Sequence, residues 1–327
     1  MGIDKVSTLS RTTAALPRIG SKKILAGVVA AVAAGAAPSA FAEIELGQGI
    51  SVTGFADMSL YSDDTDGEAA SFGIDQFEVD FLFTGSNGIS AQVDIEYSPE
   101  YEGTSTTFVE QAFITKQFTD QFSMKVGRFL SYSGWETEEP TGLFQYSGVG
   151  YAPAFYGYYQ NGVSAYYDGG KFALMGSVVT STINPNDTDT SDLGYEVGVA
   201  IMPVEGFTAK AFYIKDEDTD SERINVWASY AWGGFTFAGE YNTADYGAAG
   251  DGDGFLLMAN YATGPWGFTV RYHDYEVDGV ADLKGFTFSP SYKVSDNLLL
   301  VAEYRKDKYA GGGPKPTTAA LEALFTF

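Results

Sequence analysis

The chain has 327 residues, of which 19 are basic and 43 acidic, with 45% hydrophobic and 15% aromatic residues, 39 glycines and no cysteine. A net charge of −24 excludes nucleic acid as a partner, and disulfides cannot hold the fold. The length allows one large domain or two modest ones.

At the N-terminus Lys22 and Lys23 precede a 14-residue apolar run, Ile24 to Ala37, which is followed by the small-x-small site Ala40-Phe41-Ala42. That order predicts a secretory signal peptide over residues 1–42, cleaved before Glu43. The run falls short of the ~20 residues a membrane-spanning helix needs. The first 42 residues hold five basic and one acidic residue, so a single domain over 43–327 keeps 14 basic and 42 acidic, a net −28.

From residue 50 onward the chain reads in period two, the mark of strands with one apolar face. Ile50, Val52, Ala56, Met58 and Leu60 alternate with Ser51, Thr53, Asp57 and Ser59. Phe77, Val79, Phe81 and Phe83 alternate with Glu78, Asp80, Leu82 and Thr84. After a Ser-Asn-Gly turn, Ile89, Ala91, Val93, Ile95 and Tyr97 alternate with Ser90, Gln92, Asp94 and Glu96. The same pattern returns from Leu193, Ile224, Phe235, Phe268 and Phe286, and it blurs near 172–182 and 255–262. No amphipathic helix stands out after residue 43.

The connections alternate too. Tight turns at 85–88, 119–121, 168–171, 203–206, 233–234, 264–267 and 295–297 carry hairpin chemistry. Longer polar loops begin at Ser62, Ser98, residue 131, Asn184, Asp216, Ala244, Asp278 and Tyr309. Together they separate about sixteen strand segments. A one-sided apolar sheet of that size, with no helical layer over it, would expose its greasy face to water at a cost of ~25 cal/mol per Å². Closing the sheet removes its edges, and a bilayer then covers the outside. The expected fold is therefore all-β: a transmembrane, antiparallel, up-and-down β-barrel. The bilayer is then the first partner.

The last residues, LEALFTF, put Leu321, Phe325 and Phe327 on one face, and this ending resembles the terminal signature of bacterial outer-membrane barrels. The segment Lys125–Pro140, KVGRFLSYSGWETEEP, is similar to a pattern of the OmpL-like outer-membrane porin family. The resemblance implies a Gram-negative outer-membrane channel that passes ions and small hydrophilic solutes without a cofactor. It also implies recognition by the barrel-assembly machinery, contact with lipopolysaccharide, and a homo-oligomer, a trimer in such porins' manner.

Porins commonly fold their third external loop inward, and here that loop is 131–156. Glu136, Glu138 and Glu139 would then bring negative charge to the narrowest point. Lumen parity assigns Glu78, Asp80, Gln92, Asp94, Glu96, Glu240 and His273 to the wall. Basic residues expected opposite the loop are Lys125, Lys210, Arg223, Arg271, Lys293 and Arg305, which together with the acids would set up a transverse field. Arg128 falls on the lipid-facing parity, where mid-bilayer charge costs ~2–4 kcal/mol, so an interfacial position or a bulge is expected there. Tyr61, Trp232, Trp266 and Tyr304 are candidates for interfacial girdles.

The acid-rich loops at Asp63–Gly67, Asn184–Asp192 and Asp251–Gly254 do not complete a calcium loop with its distal glutamate, so no metal is expected in them. Two other functions fit the same strands. A closed structural barrel or adhesin differs only in conductance. An outer-membrane hydrolase would have to be built on the single histidine, His273, whose neighbour Asp274 points to the other face. The net −28 and the acids on lumen parity favour a cation-preferring channel.

Overall fold

The computed structural model describes residues 43–64, 70–99, 105–136 and 138–327. The leader expected over 1–42 lies outside them, as do residues 65–67 of the Asp63–Gly67 loop. The strands run in chain order as β1 (Ile44–Gly47), β2 (Ile50–Asp63), β3 (Ser71–Thr84), β4 (Ile89–Pro99), β5 (Ser105–Gln117) and β6 (Phe122–Leu130). They continue as β7 (Tyr159–Asp168), β8 (Phe172–Val179), β9 (Gly194–Ile201), β10 (Phe207–Asp216), β11 (Ser221–Trp232) and β12 (Phe235–Asp245). The set ends with β13 (Asp251–Thr263), β14 (Trp266–Val277), β15 (Ala281–Ser295), β16 (Leu298–Tyr309) and β17 (Thr317–Thr326).

Each strand from β2 to β16 pairs antiparallel with the next, and β17 returns to β2, so sixteen strands close into a barrel. Closure runs to the last residue. The Phe327 N–H donates to the Gly54 carbonyl at 3.0 Å, and the Gly54 N–H donates back at 2.9 Å. The end of β2 that β17 does not reach is paired by β1, with Ile44 opposite Val52.

The alternation in the sequence becomes two faces. Phe81, Val126, Leu257 and Phe286 stand exposed on the outside, while Ser51, Thr53, Gln92, Asn225 and Thr269 are buried within. Leu257, mid-strand in β13, is 56% exposed, which only a hydrocarbon solvent makes favourable. At the tight-turn ends outward aromatics meet across strands: Phe235 with Tyr261 at 4.5 Å and Trp266 with Tyr292 at 4.6 Å. Such a girdle belongs at a membrane–water boundary. Trp232 and Trp266 join it, exposed as expected, whereas Tyr61 turns inward and packs on Tyr146. Tyr304 is exposed but lies in mid-β16 rather than at a strand end.

The connections are less sorted than their composition suggests. The polar stretches 216–222 and 278–283 are partly strand, leaving short turns at residues 217–220 and 278–280. Asp251–Gly254 opens β13 instead of forming a loop. Among the described residues the register shifts in four strand pairs, and two of these shifts bear on the site, at Asp57/Met58 in the β2–β3 pair and at Asp94/Ile95 in the β4–β5 pair. They leave Asp75 and Glu110 as the extra residues. A bulge re-aims a side chain that strict alternation would send outward.

Arg128 keeps its outward parity without a bulge. It donates to Asn161 Oδ1 at 3.1 Å, to the Val109 carbonyl at 3.3 Å and to the Pro185 carbonyl at 2.5 Å. Since Pro185 lies in the loop after β8, the guanidinium sits at the loop end of the barrel, clear of mid-bilayer.

Candidate functional site

The connection between β6 and β7, residues 131–158, folds into the barrel. Among the described residues its regular pieces are a short 3-10 turn at Pro140–Gly142 and one helical turn at Ala152–Phe155. Its backbone groups, which have no ladder of their own, are taken up by inward-facing side chains of the wall.

The attachment can be followed along the loop. The Glu196 carboxylate on β9 accepts from the Tyr132 N–H at 2.9 Å and from the Ser131 hydroxyl. Asn225 on β11 accepts from the Gly134 N–H at 3.0 Å. Glu240 on β12 accepts from the Trp135 N–H at 2.5 Å and from the Tyr151 and Tyr156 hydroxyls at 3.0 and 2.5 Å. Burial pushes both tyrosine hydroxyls well above their usual pKa, with the Glu240 charge adding to it, so they stay protonated as donors.

Glu136 meets β14. Arg271 donates to Glu136 Oε1 at 2.7 Å and to the Ser147 carbonyl at 2.6 Å, while the Val149 N–H donates to Glu136 Oε2 at 2.5 Å. Arg305 on β16 donates to the Gly148 and Val149 carbonyls at 2.7 and 3.2 Å and pairs with Asp307 at 2.8 Å. Glu303 takes the Ser147 N–H and hydroxyl. Further round, the Arg223 Nε–H donates to the Ala154 carbonyl at 3.0 Å. Val149, Tyr151, Phe155, Leu256, Met258 and Tyr275 form an apolar cluster behind these bonds.

The other side of the loop meets acids. Gln76 on β3 donates to Glu139 Oε2 at 3.2 Å, and the Tyr146 hydroxyl donates to Asp75 Oδ2 at 3.2 Å. Burial raises the Glu139 carboxyl well above the usual carboxylate range, reinforced by Glu110 and Glu96 nearby. Glu78, Asp94, Glu96 and Glu110 are all buried in the wall beside it.

The expected wall residues therefore divide. Glu78, Asp80, Gln92, Asp94 and Glu96 gather beside the loop on β3 and β4, and Glu138 on the loop is half-buried. Arg223, Arg271, Arg305 and Glu240 do not face the loop across a gap but bond to it directly, because a buried carboxylate or carbonyl needs its partner in contact. Lys125 lies among the Phe113, Phe129 and Tyr132 rings at 4.5–5.4 Å, and Lys210 lies over Trp227 at 5.0 Å. Lys293 is elsewhere: exposed at the tight-turn rim, it pairs with Asp296 at 2.9 Å. His273 is buried beside Asp307, 3.5 Å away, in space left by Gly285, where a Cβ would lie 2.5 Å from the imidazole. Asp274 points away and receives Lys284 and Tyr272.

Asp75, Glu110, Glu196, Glu303 and Tyr146 were not singled out from sequence. For Asp75 and Glu110 a signal exists, since each is an acid on the apolar parity of its strand. The acid-rich loop at 184–192 satisfies itself, with Asp187 and Asp189 accepting from the N–H groups two residues on.

A Gram-negative porin family model matches residues 28–312, and the chain belongs to that family. Its barrel is that of outer-membrane channels. OmpT of Vibrio cholerae shares the fold at a TM-score of 0.62 and 13% identity, over 87% of this chain and 100% of that one. A mutant of the Rh. blastica porin aligns at a TM-score of 0.61 and 17% identity, over 85% and 100% of the two chains. No curated protein matches the sequence at a significant level.

Proposed function

We propose that the barrel lets ions and small hydrophilic solutes diffuse across the outer membrane, with cations preferred and loop 131–158 as the constriction. The observation that carries this reading is the asymmetry around the loop. Its basic contacts on β14 and β16 are consumed by Glu136 and by loop carbonyls, while Glu78, Asp80, Asp94, Glu96 and Glu110 accumulate on β3 to β5. Among the described residues no ion pair reaches Glu78, Asp80 or Asp94, so the charge these three bring near the loop is negative, which draws cations.

Reversal potentials across a potassium chloride gradient, measured on the refolded chain in planar bilayers, test it. Cation selectivity is expected, reduced in an Asp94→Asn/Glu96→Gln variant. Anion selectivity sinks the charge argument, and absence of conductance returns the structural-barrel reading. Against a hydrolase stands His273: among the described residues neither ring nitrogen has a hydrogen-bond partner, so none of their hydroxyls is poised for activation there. Assembly through the outward-facing Leu321 and Phe325 and the terminal Phe327, contact with lipopolysaccharide, and a homotrimer complete the proposal. Exposure of Leu321 and Phe325 on β17 supports the first of these.

A further inference from the structure

The acids on β3, β4 and β5 are closer together than a selectivity wall requires. Glu78, Glu96 and Glu110 bring one carboxylate oxygen each to within 4.8 Å of one another, and so do Glu78, Asp80 and Asp94. The register imposes this. Glu78 lies directly opposite Glu96, Asp80 lies directly opposite Asp94, and the bulge in the β4–β5 pair adds Glu110. Like charges directly opposite each other across a sheet repel. Something must offset that repulsion.

The protein does not supply it to the inner three. Among the described residues, no ion pair involves Glu78, Asp80 or Asp94. Asp94 is oriented instead: the Gln92 and Gln111 amides donate to its Oδ2 at 2.9 and 2.7 Å. Its Oδ1 is left buried without a hydrogen bond, as are Glu78 Oε2 and Asp80 Oδ1. Glu78 and Asp94 are 3% and 1% exposed, so bulk water does not solvate those oxygens. Pinning one carboxylate oxygen with amides while the other faces a cluster of acids is how a ligand is held ready for a cation.

We propose that Glu78, Asp80 and Asp94 bind a divalent cation of the calcium class within the barrel wall, with Glu96 and Glu110 completing its coordination. The donors are all hard oxygens, with no nitrogen or sulfur ligand among them, which disfavours zinc. Calcium accepts six to eight oxygens, including bidentate carboxylates, in irregular geometry, whereas magnesium demands an octahedron and keeps its waters. The bound ion ties three neighbouring strands together beside Glu139. It belongs to the wall and not to the acid-rich loops, whose sequences lack a calcium pattern.

The test uses the full chain refolded in detergent, stripped with EDTA, and titrated with calcium and with terbium as a luminescent probe. One calcium per chain is expected, with a Kd of about 10⁻³ M or tighter. Calcium should displace terbium, and magnesium should do so only at higher concentration. Glu78→Gln and, separately, Asp94→Asn should each weaken binding by about tenfold or more. Asp218→Asn, in an exposed turn, should leave binding unchanged. No uptake by the wild-type chain, or equal uptake by Glu78→Gln, overturns the site and means that protons or a surface ion neutralise the cluster. Should a variant fail to fold, the wild-type thermal midpoint decides: calcium must raise it, and an unchanged midpoint is a refutation. Binding is read without current, so it can fail while cation conduction stands, and the reverse.

Discussion

The wall of β14 and β16 and the wall of β3 to β5 both bury charge against the same loop, yet they treat it oppositely. On the first, every charge seen against the loop has a partner in contact: Arg271 with Glu136, Arg305 with Asp307 and the loop carbonyls. On the second, carboxylates are stacked on carboxylates, and three of them present buried oxygens without a hydrogen bond. A paired wall holds something in place. A wall whose Glu78, Asp80 and Asp94 have no ion pair among the described residues invites something to come, and that difference separates anchoring from selection within one barrel.

The largest effect should come from breaking the paired wall. Arg271→Ala leaves Glu136 buried without its cation, a loss of about 3–5 kcal/mol. The loop should detach from β14, and single-channel recordings should show a larger, noisier conductance with a lower thermal midpoint in detergent. An unchanged channel would mean that the β14 contacts do not hold the loop. Next in size is Leu257→Lys on the outer face of β13. It should cost about 2–4 kcal/mol in urea unfolding from bilayers if lipid covers that face.

Tyr146→Phe sharpens the comparison from the acidic side. It removes the hydroxyl that donates to Asp75 Oδ2 at 3.2 Å and lies 3.1 Å from the Ser59 hydroxyl, at a cost of about 1 kcal/mol, seen as a small fall in the unfolding midpoint. Lys293→Ala should change neither conductance nor stability measurably, because its pair with Asp296 is exposed at the rim. A shift in ion selectivity in that variant would place the rim, and not the loop, in control.

Much of this was legible in the chain. Period two on β3 and β4 reports that each strand has one apolar and one polar side, and the number of such strands with no helical layer to cover them points the apolar side at hydrocarbon. The barrel follows from that, with its strand number. What local alternation cannot report is an insertion that shifts its own phase, so Glu110 and Asp75 read as lipid-facing when each sits at a bulge. Nor can it distinguish an inward apolar residue from an outward one. The blurred stretches at 172–182 and 255–262 are where the interior is itself greasy: Leu256 and Met258 pack on the folded loop, and Ala173 and Met175 pack with Phe212. Arg223, Arg271 and Arg305 bond to the loop and Lys293 pairs at the rim instead, an outcome that depends on a path through the barrel that no single strand encodes.

Gln76 and Asn225, which grip the loop at Glu139 and Gly134, sit on β3 and β11, eight strands apart in a ring of sixteen. A hollow cylinder yields most easily by flattening, and a strut across its diameter is the economical remedy. The loop thus stiffens the tube against lateral pressure from the surrounding membrane, so changes made to tune permeation will also alter the roundness of the cross-section.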